Sequence, residues 1–186
     1  VFGSGPRVID IGARIGDRIT VAVGAEPERI GWAVWTARKA REDAGLDPDA
    51  IDIGAFVVVA AGTDQRSLDE LVKGNASISA HFQRDVTSSL PHSDATVVEE
   101  VTSRYDNYHH GMEHAAQAEV LPADFLDRFC VIGAPDHCIE RLCELVDPSL
   151  SHLVFVGGSS DIEASVRERS DSLVASEVLP ALQALS

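Results

Sequence analysis

Nine consecutive residues without a charge, Ile53–Ala61, limit the folds open to this chain. The run is too short for a membrane span, which takes about 18 or more apolar residues. It is also too continuous for a strand with one wet face. A strand apolar on both sides must be covered on both sides, as in a parallel sheet between two layers. Asp52–Ala61 is therefore read as a central strand. Upstream, Pro27 opens a helix from about Glu28 to Ala44, with Ile30, Ala33, Val34, Ala37 and Ala40 on one face and Gly45 ending it. Downstream, Asp64 is placed to cap a helix starting near Gln65, with Leu68, Leu71 and Val72 as its buried face.

The strand-then-helix order repeats along the chain. Val8–Gly16 predicts a short helix with a broad apolar side, and Ile19–Val23 a short buried strand. After Gly74 the pattern weakens. Ala76–Phe82, Thr96–Tyr108 and Ala123–Phe129 read as helices of an insertion over about residues 75–129. Cys130–Gly133 is a brief extended piece, and Pro135 opens a helix through Val146 with Ile139, Leu142, Cys143 and Val146 inward. His152–Val156 is the last strand, and Ile162–Leu185 a closing helix interrupted by Pro180. This order implies an α/β fold with right-handed crossovers.

Composition narrows the function. The net charge of −15, from 30 acidic and 15 basic residues, argues against nucleic acid as a partner, because phosphate backbones need clustered Lys and Arg. No stretch suits a membrane. Three cysteines without zinc spacing imply reduced thiols and a cytoplasmic location. Any anionic ligand must be held locally, by helix N-termini and a few arginines.

One turn is suited to that task. In Gly3-Ser4-Gly5-Pro6 the glycines can take backbone angles closed to other residues, and Pro6 suits the first helical position. The N–H groups of Ser4, Gly5, Arg7 and Val8 would face an anion at the helix start, where the dipole favours negative charge. Two α/β folds use such a turn. The dinucleotide-binding fold would read Gly3-x-Gly5-x-x-Val8 as its fingerprint, with Glu26 near the ribose position, but Val8 replaces the third glycine. A β/α barrel instead places phosphates at the C-terminal ends of its strands.

Further motifs follow in a recognisable order: Gly16-Asp17-Arg18, Val23-Gly24-Ala25-Glu26-Pro27, Ala44-Gly45-Leu46-Asp47-Pro48, Tyr105-Asp106 with His109, and Val131-Ile132-Gly133-x-Pro135. Their order resembles the luciferase-like monooxygenase superfamily, most closely its deazaflavin-dependent reductases and dehydrogenases related to methylenetetrahydromethanopterin reductase. The resemblance implies a TIM-type (β/α)8 barrel, with residues 1–186 forming the C-terminal part of one barrel domain and the N-terminal half missing. The chain begins Val1-Phe2, and its one methionine is Met112.

The resemblance also implies a site. Ser4, Gly5 and Pro6, with Val8, would hold a cofactor phosphate, and Ala22, Val23 and Gly24 would line the mouth where their strand ends. Tyr105 and His109 fall in the insertion, which in barrels covers the mouth, and are read as substrate-lining or as helix packing. The implied coenzyme is the deazaflavin coenzyme F-420, with FMN in a monooxygenase of the same superfamily as the alternative. The implied reaction is hydride transfer to or from a small-molecule substrate. The family's usual catalytic groups lie on earlier strands, so no catalytic residue is assigned here. A lysine that binds substrate phosphate in the glucose-6-phosphate dehydrogenases is absent near Ala25.

Other features carry less. His109, His110 and His114 cluster with Glu113, but Gly111 stands where a zinc-protease helix has its glutamate, so no metal is expected. Trp32 and Trp35 suit packing or a subunit contact. A half barrel presents two open strand edges, which predicts a homodimer or other homo-oligomer, or a scaffold or assembly fragment completed by the remaining half.

Overall fold

The computed structural model describes residues 1–146 and 149–184. Its elements run β1 (Phe2–Gly3), α1 (Pro6–Ile15), β2 (Arg18–Val21), α2 (Pro27–Asp43), β3 (Asp52–Ala61) and α3 (Gln65–His81). A 3-10 segment (Arg84–Ser89) leads to α4 (His92–Ser103), a 3-10 turn (Asn107–His109), α5 (Ala116–Glu119), α6 (Ala123–Phe129) and β4 (Val131–Gly133). The chain then forms α7 (Pro135–Leu145), β5 (His152–Val156), α8 (Ala164–Leu173), a π-turn (Val174–Val178) and α9 (Leu179–Gln183).

Every strand pair is parallel, and β3 is the hub. It pairs with β2 (Arg18↔Asp52 to Val21↔Ala55), with β5 (Gly54↔His152 to Val58↔Val156) and, beyond these, with β4 (Val59↔Val131 to Ala61↔Gly133). β1 lies on the far side of β2. Four strands thus stand in the order β1-β2-β3-β5, with β4 beside the C-terminal end of β3.

The apolar run divides its side chains between two cores, which is why it carries no charge. Ile53, Ala55, Val57, Val59 and Ala61 pack under α1, α2 and α7. Val58 and Ala60 face the opposite way, into a second core with α3, α4 and α6. Burying each large aliphatic side chain contributes about 1.5–3 kcal/mol, so both layers are strongly specified. Helices α3 to α6 therefore cover the C-terminal end of the sheet on the face opposite α1 and α2.

Several expectations are corrected. Ala76–Phe82 is not a separate helix, because α3 runs unbroken through Gly74. There a Cβ would strike Gly111 O and Ser159 Oγ, so this glycine serves close approach rather than a break. The helix expected over Thr96–Tyr108 ends at Ser103. On α7 the buried face is Cys138, Leu142 and Leu145; Cys143 is half-buried and Val146 is 55% exposed. On α1 only Ile9, Gly12 and Ala13 are buried, while Val8, Ile11 and Ile15 are exposed. The closing helix is interrupted before Pro180, by the π-turn Val174–Val178. A proline cannot donate to the residue four back and crowds its carbonyl, and a wider turn relieves both. Leu185, the expected end of that helix, lies outside the described residues. No helix among the described residues is long and apolar enough to cross a membrane.

Candidate functional site

The turn after β1 forms at the C-terminal end of the sheet. Gly5 is the N-cap of α1 in extended conformation (φ −94°, ψ 155°), and Pro6 takes the first helical position. A Cβ at Gly3 would lie 2.8 Å from Val8 Cγ1, so Val8 fits where it does because Gly3 has no side chain. At Gly5 a Cβ would meet nothing within 4 Å and would point into open space. That space, about 510 Å³, is bordered by Gly5, Pro6, Arg7, Val8 and Asp85. Among the described residues no acceptor takes the N–H groups of Ser4, Gly5 or Arg7. Val8 differs from the expectation: its N–H donates to Gly5 O at 3.1 Å, as does that of Ile9 at 3.0 Å. Of the residues that border the space, Gly5 and Arg7 carry unengaged N–H groups, and Arg7 adds a positive charge and Asp85 a negative one to the same border. The residues fit an anionic group held mainly by backbone.

Polar bonds stitch this turn to the end of α3. Ser4 Oγ donates to Phe82 O (3.2 Å), and Gln83 Nε2 donates to Ala22 O (2.8 Å). Gln83 is fully buried and accepts from Arg29 Nη2, whose guanidinium also lies 5.0 Å from the Trp32 ring. Burial lowers the Arg29 pKa, with Glu26 and Asp94 working against that shift. Nearby, Arg128 bonds Asp94 (2.6 Å) and Asp124 (3.2 Å) and lies 3.8 Å from Glu26. Burial, reinforced by the Asp94 charge, pushes the Glu26 carboxyl up.

Beside the turn, a cavity of about 310 Å³ opens between the sheet and α3. Phe2, Ala22, Phe56 and Val156 form its sheet side, and Asn75, Ile78, Ser79 and Phe82 its helical side. Phe2 meets Phe56 edge-on at 5.1 Å and Phe82 at 6.0 Å. Of the three residues expected at the mouth, Ala22 borders this cavity. Val23 is packed in the core beneath α2. Gly24 (φ +90°) lies under Phe129, whose ring a Cβ would approach to 2.8 Å, and the Ala25 N–H donates to Phe129 O at 3.0 Å.

Tyr105 and His109 occupy the turns after α4. The Tyr105 ring stacks on His81 (3.8 Å, 16°), and its hydroxyl lies 2.7 Å from His110 Nδ1. His109 Nδ1 is 2.7 Å from Asp106 Oδ2. His114 pairs instead with Asp161, which also accepts from the Glu113 N–H at 2.6 Å. The chain from His110 to His114 forms turns rather than a helix. Among the described residues no group of three His, Cys, Asp or Glu side chains converges on a metal position. Burial pushes the Cys138 thiol up to about 11, which makes it a poor nucleophile.

The sequence reading missed the loop after β5. Ser159 is fully buried; its Oγ accepts from the Gly74 N–H (2.9 Å) and donates to Leu71 O (2.8 Å), inside the ladder of α3. Asn75 Nδ2 donates back to the carbonyls of Gly157 and Gly158. The available signal was Gly157-Gly158 directly after a predicted strand, a mark of close backbone approach.

The luciferase-like monooxygenase family model matches residues 1–152. A phthiodiolone/phenolphthiodiolone dimycocerosates ketoreductase of Mycobacterium tuberculosis is 23% identical over 166 residues, covering 86% of this chain and 43% of that protein. A coenzyme F-420-dependent tetrahydromethanopterin reductase from Methanopyrus kandleri superposes with a TM-score of 0.68 at 22% identity, covering 96% of this chain and 49% of that one. The oxygenating constituent of 3,6-diketocamphane monooxygenase from Pseudomonas putida, solved with FMN, gives 0.55 at 15% identity, covering 97% and 48%. The chain thus spans about half the length of the relatives it matches. Its parallel sheet and outer helices are the α/β fold of luciferase-like TIM-type barrels, at roughly half their length.

Proposed function

The chain belongs to the luciferase-like monooxygenase family, and from that membership we propose that it supplies the coenzyme-phosphate grip of a deazaflavin-dependent oxidoreductase. The observation that carries this reading is the open turn at Gly5, where the unengaged N–H groups of Gly5 and Arg7 belong to residues that border a space a Cβ at Gly5 would enter without contact. Ser4, Gly5 and Pro6 would hold the phosphate of coenzyme F-420 there. When bound, that coenzyme supplies hydride transfer to or from an organic substrate. This chain binds and orients. The Ser4 hydroxyl fixes the end of α3 against the grip, and Gln83 holds the carbonyl of Ala22 at the adjoining strand end. Helices α3 to α6 pack against that end of the sheet on the face opposite α1 and α2.

FMN is the second reading, favoured by the FMN named with one structural relative. Backbone N–H groups grip either phosphate. Fluorescence titration of the full-length protein with coenzyme F-420 and with FMN, followed by a hydride-transfer assay, separates the two. Binding of the deazaflavin at about micromolar Kd or tighter supports the first reading. Binding of FMN alone replaces it with the second, and binding of neither removes the oxidoreductase assignment.

A further inference from the structure

We infer that the cavity between the sheet and α3 takes an uncharged, apolar part of the substrate: an alkyl chain bearing at most one hydroxyl or carbonyl. The inference rests on reading the strand ends as the coenzyme site, and it adds the substrate's chemical class. The cavity, about 310 Å³, stands at the low end of small-molecule pockets, about 300–1,000 Å³. Three aromatic rings converge on it, because Phe2 meets both Phe56 and Phe82 edge-on. Ile78 and Val156 complete the apolar lining, and among the described residues no Asp, Glu, Lys, Arg or His borders it.

Polar capacity is small. The Asn75 Nδ2 donors are committed to the carbonyls of Gly157 and Gly158, which leaves the Ser79 hydroxyl as side-chain donor and the Asn75 Oδ1 as a further acceptor. A carboxylate or phosphate entering here would lose its water with no countercharge from the described residues that border the cavity. The flavin or deazaflavin ring is also a poor occupant. Its pyrimidinedione edge carries two carbonyls and an N–H, and one hydroxyl donor with one amide oxygen leaves a carbonyl without a side-chain partner. A neutral chain with one oxygen matches both the apolar lining and its small polar capacity.

The test is saturation-transfer NMR on the full-length protein with 2-octanone, 2-octanol and octanoate, which share chain length and differ in charge. The two neutral ligands should bind and compete, and octanoate should bind at least about tenfold more weakly. Ile78→Lys places a cation in the lining and should reverse that order. Phe82→Ala removes one of the three rings and should weaken both neutral ligands by about fivefold or more. Thermal melts confirm that each variant is folded. Octanoate binding as well as 2-octanone, or neutral affinities unmoved by both substitutions, overturns the inference. The coenzyme titration is read independently. Preference for neutral ligands without coenzyme binding supports the cavity and removes the coenzyme reading; coenzyme binding without that preference does the reverse.

Discussion

The imidazole of His152 lies over Gly54, in the space that a side chain on Gly54 would need. The two residues are register partners on β5 and β3. From there the ring reaches a third strand, with Nε2 3.1 Å from Thr20 Oγ1 on β2. Ser151 fixes the tautomer: its hydroxyl donates to Ile53 O (3.1 Å) and so must accept from His152 Nδ1–H (2.8 Å). Nε2 then accepts from the Thr20 hydroxyl. Three strands are clamped through a position that only glycine can occupy. Gly54→Ala should therefore destabilise the protein by about 1–3 kcal/mol, the usual cost of overpacking. The urea midpoint should fall with an unchanged m-value. An unmoved midpoint would mean that the ring swings away freely and clamps nothing.

Gly5 presents the opposite case. Its φ of −94° and ψ of 155° are ordinary extended values, and its Cβ position is empty. Valine can therefore adopt the backbone there, at a cost of about 1 kcal/mol for a poorer helix N-cap. Its branched side chain would enter the space bordered by Gly5 and Arg7, whose N–H groups are unengaged. Gly5→Val should weaken coenzyme binding by about tenfold or more while the melting temperature shifts by only a few degrees. Unchanged affinity would take the turn out of the site.

These two glycines show what the sequence could and could not convey. The strand Asp52–Ala61 was legible because both of its faces are buried, which leaves a continuous apolar run. The turn at Gly5 was legible because its glycines, serine and proline have local causes. Gly54 and Gly74 were not, because their partners are His152, Gly111 and Ser159, residues distant in sequence. Gly74 in particular looked like a helix break and is a docking point. The buried face of α7 was misplaced because Cys138, not Cys143, turns toward Ala60. A short helix does not reveal its phase when both faces carry apolar residues.

Asp85 is the carboxylate bordering the space before α1. The bonds Ser4–Phe82 and Gln83–Ala22 hold the chain just before it, so its position is set by structure rather than chance. Like charges at a partly wet site repel by about 1 kcal/mol or less at moderate salt. Asp85→Asn should therefore tighten binding of an anionic coenzyme by up to about fivefold at low salt, and the gain should shrink as salt is added. No change at low ionic strength would place the carboxylate away from the ligand.

Glu26 gives a pH-dependent prediction. Burial first, and then the Asp94 charge, raise its pKa above the ordinary value of 4.5, against the pull of Arg128 and Arg29. A raised folded pKa means that the native state holds a proton that the unfolded chain has already released. Stability from this group is thus complete below about 4.5 and is lost as pH rises through the folded value. Above the folded pKa the wild type carries the whole penalty of a half-buried carboxylate. Glu26→Gln removes that charge while keeping the side chain's shape, and Arg128 retains Asp94 and Asp124 as partners. The variant should melt higher than wild type at pH 7, and the difference should close as pH falls below about 4.5. A lower melting temperature at pH 7 would show that attraction between Glu26 and Arg128 outweighs the cost of burial, and the sign of the argument would reverse.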